Sequence, residues 1–234
     1  KMKSNYPKID KSLELFEKAK KIMDPVSQTL AKAPGQFSEG VSPVFIEKAK
    51  GNIIEDVDGN KFLDYYAAIG PISLGYCYDI VDNAIIEQLK KGITFSLMHR
   101  LEYEVCELIK EIIPNAESIR ISKSGADVCS AAVRVARAFT KRNKILCCGY
   151  HGWHDWYIST TSRDFGIPTE NKKYVSSFKY NDLDDLLSKI DSDTAAVIIE
   201  PFVFDSPKKN YLESVQKICK QNGRSGPFKS QFFP

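Results

Sequence analysis

The sequence lacks the features that identify membrane, exported and nucleic-acid-binding proteins. No stretch approaches the ~20 consecutive apolar residues that a bilayer-crossing helix needs. Residues 1–30 are polar and rich in lysine, without the apolar centre of a signal peptide. The 33 basic and 30 acidic side chains are spread along the chain and leave a net charge of only +3, so no basic patch is available for nucleic acid. We therefore expect a soluble protein that has neither a membrane nor a nucleic acid as its partner.

The cysteines also lack a pattern that would pair them. None of the six forms a CxxC pair, and four lie within apolar runs, where a reduced thiol packs as a small hydrophobic group. No Cys/His spacing of a zinc site is present either. These absences predict a reducing, cytoplasmic compartment and no metal site.

The sequence does have a globular composition, with 43% hydrophobic and 27% charged residues over a length of 234 residues. In its first part, apolar residues at helical spacing predict a helix over residues 12–23, which Pro25 ends. Three short β-rich runs follow, with Asp58 and Gly59 as turn residues between the last two. The runs cover residues 44–46, 52–57 and 61–65. This part is predicted to be an N-terminal helix followed by a small antiparallel meander.

After Gly75, helical and β-rich segments alternate. The helices are predicted over residues 80–90, 101–112, 128–140, 183–190 and 211–221. The strands are predicted over residues 118–122, 144–148, 174–178 and 195–200. The last strand is almost entirely apolar, as a strand covered on both faces should be. The predicted fold class is therefore α/β, with a mostly parallel sheet and helices on both faces.

One predicted turn between a strand and a helix has the residues of an anion site. It runs from Ser122 to Asp127, where unpaired backbone N–H groups and the helix dipole favour a phosphate. Gly125 has no Cβ to block close approach, and Ser124 can either cap the helix or donate to a phosphate. The same residues are also typical of an ordinary capping box, with Asp127 in place of glutamate. A nucleotide-binding Rossmann domain is disfavoured, because Gly125 stands alone and no GxGxxG follows any strand.

Aromatic and ionisable side chains follow two other predicted strands. Tyr150, His151 and His154 lie directly after the strand over residues 144–148, and Glu200 ends the strand over residues 195–200. Open α/β sheets bind ligands at the carboxyl ends of strands, so one interpretation is an aromatic wall that stacks on a planar ligand. The alternatives are aromatic core filling and, for Glu200, a solvated strand end. A metal site at the two histidines is disfavoured, because His99 is the only other histidine.

Eight segments, taken in order, carry a family resemblance. They are PVFIE at 43–47, DVDGNKFLDY at 56–65, GP at 70–71, LGY at 74–76, KSGAD at 123–127, AAVRVAR at 131–137, GYHGWHDW at 149–156 and AAVIIEP at 195–201. This series resembles the class III pyridoxal-phosphate-dependent aminotransferases, in particular the glutamate-1-semialdehyde 2,1-aminomutase-like branch. The resemblance runs from about Pro34 to Gly223, which is about the first half of a family member.

The resemblance implies the large domain of a fold-type I transferase and pyridoxal 5'-phosphate as its cofactor. It implies that Ser124, Gly125 and Ala126 hold the cofactor phosphate, and that Tyr150 stacks on the pyridine ring with His151 beside it. Glu200 would lie on the substrate side of the site. Relatives usually carry Ser or Thr where this chain has Ala126, so one hydroxyl donor is missing although the backbone N–H remains.

The family also implies an activity and an assembly. Full-length relatives transfer amino groups between small molecules, as transaminases or aminomutases, and form their sites at a homodimer interface. By family we expect a homodimer, whereas the truncated chain alone is expected to lack part of that interface. We leave open a second function class, a non-catalytic fragment or interaction module that binds no cofactor.

The resemblance is lost after Gly223. Residues 224–234 match no expected strand, and the family's Schiff-base lysine and pyridinium aspartate have no counterpart in the chain. We therefore predict a frameshift or a truncated gene, no catalytic residue in this chain and no activity of the chain alone. Three parts are predicted: an N-terminal helix and antiparallel segment over 1–66, a partial cofactor-binding large domain over 67–223, and an aberrant tail over 224–234.

Overall fold

The computed structural model describes residues 6–202 and 204–222, in which the chain forms two compact units that divide between His99 and Arg100. We call them the N-terminal and C-terminal units. The predicted tail over residues 224–234 lies outside the described residues. The predicted boundary at residues 66/67 stays a prediction.

The N-terminal unit contains the predicted helix and antiparallel meander. Its helices are α1 (Asp10–Ala19) and α2 (Asp79–Leu89), with 3₁₀ turns at Leu30–Lys32 and Pro34–Gln36. Its strands β1 (Ile46–Lys50), β2 (Ile53–Asp56) and β3 (Lys61–Leu63) pair antiparallel in that order. Gly59 has a φ of +87° in the turn between β2 and β3, so the predicted Asp58-Gly59 turn is confirmed.

Two predicted elements in this unit have the wrong bounds, and a distant side chain accounts for where each one begins. The predicted helix over residues 12–23 instead begins at Asp10 and ends at Ala19. The Asp58 carboxylate caps its start by accepting the backbone N–H groups of Lys11 and Ser12 at 2.8 and 2.9 Å. The strand predicted over residues 44–46 instead covers Ile46–Lys50. The N–H groups of residues 44 and 45 donate to the Ser12 hydroxyl at 2.8 and 3.1 Å, and so contribute nothing to a sheet.

From residue 125 onward, the C-terminal unit has the alternating order that the sequence predicts. Its helices are α3 (Arg100–Ile112), α4 (Gly125–Thr140), α5 (Asp155–Ile158), α6 (Leu183–Lys189) and α7 (Tyr211–Asn222), with a 3₁₀ turn at Thr169–Lys173. Its strands β4 (Lys144–Cys148), β5 (Val175–Ser177) and β6 (Thr194–Ile199) form a parallel sheet in the order β5–β4–β6. The predicted α/β class is confirmed. Across the ranges described, no helix is both long and apolar enough to span a bilayer.

The central strand β4 divides the core of this unit into two layers. Successive side chains of a strand point to opposite faces, so its four buried residues separate into two pairs. Ile145 and Cys147 pack in a cluster with Val133 of α4 and with Tyr157. Leu146 and Cys148 pack in a second cluster, with buried side chains of α6 and α7. Helices therefore cover both faces of the sheet, as predicted.

One predicted strand is wrong. Residues 118–122 alternate apolar and polar side chains, yet they form no strand in the structure. A strand needs a neighbour that accepts its N–H groups and donates to its carbonyls, and no strand in the described ranges pairs with this segment. Ile121 is accordingly 53% exposed.

We predict that Leu186→Ala lowers the free energy of unfolding by about 2–5 kcal/mol, because the fully buried side chain leaves a cavity between α6, α7 and β4. The matched control is Leu187→Ala on the same helix, where the side chain is 49% exposed and the loss should stay below about 1 kcal/mol. Urea unfolding followed by circular dichroism measures both. Equal losses would show that this core layer is not packed as described.

Candidate functional site

The first turn of α4 presents backbone groups that could bind an anion. The capping interaction that Ser124 and Asp127 predict is present: the Asp127 N–H donates to Ser124 Oγ at 3.2 Å, and the Ser124 hydroxyl lies 2.8 Å from Asp127 Oδ2. Within the described part of the chain, the N–H groups of Gly125 and Ala126 have no acceptor. These two donors lie at the positive end of a 16-residue helix, where an anion is stabilised.

Open space lies beside Gly125. A Cβ built on this residue would meet no atom of the described chain within 4 Å, and its φ is not in the left-handed region. The glycine is therefore not required by the chain's own packing. An incoming group could occupy the space that the missing Cβ leaves next to the two free N–H groups.

Ala126, by contrast, is packed against the loop that follows β4. It is buried, and a Cβ built on Gly152 would lie 2.5 Å from Ala126 Cβ and 2.7 Å from Ala126 Cα. Gly152 also has a φ of +96°, which side-chain-bearing residues rarely adopt. The loop backbone therefore lies directly on the first turn of α4, and only glycine satisfies both constraints at residue 152.

Tyr150 and His151 occupy different environments in this loop. The Tyr150 side chain is 65% exposed, with its ring edge-on to Tyr157 at a centroid distance of 5.8 Å. His151 is only 5% exposed, and its Nε2 lies 3.0 Å from the carbonyl oxygen of Cys148. Burial lowers the pKa of His151, which favours the neutral ring. Because the group beside Nε2 is a carbonyl oxygen, which only accepts, the ring proton lies on Nε2. His151 thus supports the loop from within, whereas the ring of Tyr150 is available to a ligand.

Glu200 holds the start of the same loop. Strands β4 and β6 are parallel neighbours, so their carboxyl ends coincide, and Glu200 Oε2 accepts the Tyr150 N–H at 2.7 Å. A Cβ at Gly149 would lie 2.7 Å from Glu200 Cβ, so this approach also depends on a glycine. Burial, with a contribution from Glu200, raises the pKa of Cys148 to about 11 and leaves that thiol protonated at neutral pH. The Glu200 carboxylate, which the resemblance alone implies for the substrate side, therefore accepts a hydrogen bond from the loop backbone.

A polar chain between α4 and the loop was not predicted from the sequence. Trp156 Nε1 donates to Ser130 Oγ at 2.9 Å, and Ser130 Oγ lies 2.7 Å from His154 Nδ1. His154 Nε2 lies 3.8 Å from Asp127 Oδ1, whose carboxylate also binds the Ser124 hydroxyl. The available signal was the helical spacing of Ser124, Asp127 and Ser130, but only the fold shows that His154 and Trp156 face them.

The structure thus brings the six predicted site residues to one end of the parallel sheet. Ser124, Gly125 and Ala126 begin α4, the loop with Tyr150 and His151 lies on that helix, and Glu200 binds the loop from β6. The arrangement can bind an anion and stack a planar ring. No group of three or more metal-ligating side chains occurs in the ranges that the structure describes.

Comparison with protein-family models matches residues 36–225 to the class-III aminotransferases. Among curated proteins, the chain is 37% identical over 224 residues to a 3-aminobutyryl-CoA aminotransferase of Cloacimonas acidaminovorans, covering 92% of this chain and 53% of that protein. It is 34% identical over 233 residues to glutamate-1-semialdehyde 2,1-aminomutase 2 of Lachnoclostridium phytofermentans, covering 91% and 54%. The chain spans about half the length of the curated relatives it matches.

Solved structures give the same result. The FumI protein of Sphingopyxis sp. MTA144, solved in its pyridoxal-phosphate internal aldimine form, matches with a TM-score of 0.83 and 27% identity, covering 92% of this chain and 53% of that one. An omega-transaminase from Sphaerobacter thermophilus matches with a TM-score of 0.81 and 23% identity, covering 91% and 53%. The second match shows the fold alone.

We predict that Gly152→Ala lowers the free energy of unfolding by about 3 kcal/mol or more, because the new methyl group clashes with Ala126 in addition to the strained φ. Gly166→Ala is the matched control: its φ is +81° but nothing lies within 4 Å, so only the conformational cost of about 1–2 kcal/mol remains. Chemical denaturation measures the difference. A Gly152→Ala variant as stable as Gly166→Ala would contradict the close contact.

Proposed function

The chain belongs to the class-III aminotransferase family, and from that premise we propose that it binds pyridoxal phosphate at the carboxyl end of the parallel sheet. The observation that carries the proposal is the pair of free N–H groups of Gly125 and Ala126 beside open space at Gly125. Ser124 can add a hydroxyl donor to the phosphate. The cofactor phosphate would bind at the start of α4, where Ala126 offers its backbone N–H and no hydroxyl.

The residues present fit the other part of the cofactor as well. The exposed Tyr150 ring offers a flat apolar face for a pyridine ring. The hydrogen bond from the Tyr150 N–H to Glu200, and the one from the Tyr157 hydroxyl to the Gly149 carbonyl at 2.8 Å, fix the backbone that carries this ring. We propose that His151 and Glu200 act mainly through this loop, His151 by holding the carbonyl of Cys148 and Glu200 by holding Tyr150.

When bound, pyridoxal phosphate supplies the electron sink on which amino-group transfer depends. The chain's own residues would bind its phosphate, orient its ring and exclude water from one side. The two curated relatives compared above are named as a 3-aminobutyryl-CoA aminotransferase and a glutamate-1-semialdehyde 2,1-aminomutase. We propose amino-group transfer on a small molecule as the reaction of this lineage, and noncovalent cofactor binding without turnover for the 234-residue chain alone.

A second candidate, an interaction module without a cofactor, is favoured by one observation. No residue of α3 is buried, and its apolar side chains at helical spacing are exposed, among them Val105, Leu108 and Ile112. Such a face suits association with protein.

Homodimerisation remains a proposal by family, and a reducing compartment remains a proposal from the six free thiols.

We predict that Gly125→Ala weakens pyridoxal-phosphate binding about tenfold, equivalent to about 1.4 kcal/mol, because the methyl group occupies the space proposed for the phosphate. The free energy of unfolding should be unchanged or raised by up to about 1 kcal/mol, since alanine favours a helix and meets no clash. Cofactor titration by tryptophan fluorescence measures the affinity. Urea unfolding measures the stability.

Gly35→Ala is the matched control, because this residue also has no atom within 4 Å of a built Cβ and no left-handed φ. It should leave the affinity unchanged. A wild-type chain that does not bind the cofactor would favour the interaction module. Borohydride reduction that attaches the cofactor to one mapped lysine would overturn the noncovalent proposal.

A further inference from the structure

The polar chain between α4 and the loop after β4 consists of Ser124, Asp127, His154, Ser130 and Trp156. The first two belong to the proposed phosphate site, and the last three connect it to the segment that carries Tyr150. His154 belongs to the loop and faces two residues of α4, with Nδ1 2.7 Å from Ser130 Oγ and Nε2 3.8 Å from Asp127 Oδ1. The positions of the protons in this polar chain determine which hydrogen bonds His154 can make.

The hydroxyl of Ser130 can donate to His154. The Trp156 indole only donates, so Ser130 Oγ accepts from it at 2.9 Å and can give its own proton to His154 Nδ1 at 2.7 Å. In the neutral imidazole the remaining proton is then on Nε2. That N–H faces Asp127 Oδ1 at 3.8 Å, too long for a hydrogen bond.

The hydroxyl proton of Ser124 is engaged in the same way. Ser124 Oγ accepts the Asp127 N–H at 3.2 Å and lies 2.8 Å from Asp127 Oδ2, so its single proton is directed to the carboxylate. A phosphate at Gly125 and Ala126 would compete with Asp127 for this proton. If Ser124 turns to the phosphate, Asp127 loses a donor, and His154 Nε2–H can replace it after a movement of about 1 Å.

We propose that His154 is a positioning residue for phosphate binding. When Ser124 donates its hydroxyl proton to the phosphate, His154 Nε2–H replaces it as the donor to the Asp127 carboxylate. This new hydrogen bond draws the loop that carries Tyr150 onto α4. This inference rests on the proposed function, because it assumes that the anion binds at the start of α4. The same loop already contacts the first turn of α4 through Gly152 and Ala126, two residues before His154 and one before Asp127. A movement of His154 toward Asp127 would therefore tighten the packing of the ring-bearing loop on the phosphate-binding turn.

Two substitutions test the roles of the two ring nitrogens of His154 one at a time. In His154→Gln the longer amide reaches the Nε2 position and keeps a donor for Asp127, whereas in His154→Asn the amide reaches only the Nδ1 position and keeps the Ser130 bond. The dissociation constants of inorganic phosphate and pyridoxal phosphate, measured by titration calorimetry on the full 234-residue chain, are expected to rise about tenfold in His154→Asn. They should change less than twofold in His154→Gln.

A double-mutant cycle with Ser124→Ala tests the coupling itself. Without the Ser124 hydroxyl there is no donor that can switch from Asp127 to the phosphate. In the Ser124→Ala background, His154→Asn should therefore change the two dissociation constants little further. If Ser124→Ala unfolds the chain, NMR of the wild-type imidazoles replaces the cycle: phosphate should shift the Nε2–H signal of His154, which is assigned among only three histidines by its loss in His154→Asn. An unchanged signal would overturn the inference.

The outcomes distinguish this inference from the function on which it rests. If the wild-type chain binds neither phosphate nor pyridoxal phosphate, the proposed function fails and the inference is overturned with it. If the wild-type chain binds and both His154 variants bind equally well, only the inference fails. An equal loss of affinity from His154→Asn with and without the Ser124 hydroxyl would also overturn the inference, because that result would give His154 a general structural role.

Discussion

The close contact between Gly152 and Ala126 is the constraint on which the candidate site depends. It places the backbone of the loop after β4 directly on the first turn of α4, at a distance that no Cβ on residue 152 would allow. The loop that carries the exposed Tyr150 ring thereby packs on the helix turn that carries the free N–H groups of Gly125 and Ala126. A phosphate site on a helix and an aromatic wall on a loop are separate features in the sequence, and this contact joins them.

The remaining interactions hold this contact in place mainly through the backbone. Glu200 binds the N–H of Tyr150, the Tyr157 hydroxyl binds the carbonyl of Gly149, and His151 binds the carbonyl of Cys148. Most of the ionisable and aromatic side chains at this end of the sheet are therefore already engaged within the protein. The groups without a partner in the described residues include the N–H groups of Gly125 and Ala126, the Tyr150 ring is exposed on the loop, and the Ser124 hydroxyl could be recruited from Asp127. This set suits a phosphorylated planar molecule better than a metal ion.

Sequence reasoning was most successful where local pattern and tertiary packing agree. Strand β4 has the predicted bounds, because an apolar run in the centre of a parallel sheet is buried on both faces and needs no further information. The cap of α4 is likewise local, since Ser124 and Asp127 are three residues apart. The start of α1 could not be predicted, because the Asp58 that caps it is 46 and 47 residues away from the capped N–H groups. The same holds for His154, whose partners on α4 are brought near only by the loop, and for residues 118–122, whose strand pattern finds no neighbour in the described ranges.

The central claim, that the start of α4 holds a cofactor phosphate, is tested most directly by the position of that phosphate in a crystal structure of the chain grown with pyridoxal phosphate. We expect phosphate oxygens about 2.8–3.0 Å from the backbone nitrogens of Gly125 and Ala126, with the pyridine ring against Tyr150. A phosphate bound elsewhere on the chain, with these two N–H groups left to water, would contradict the account.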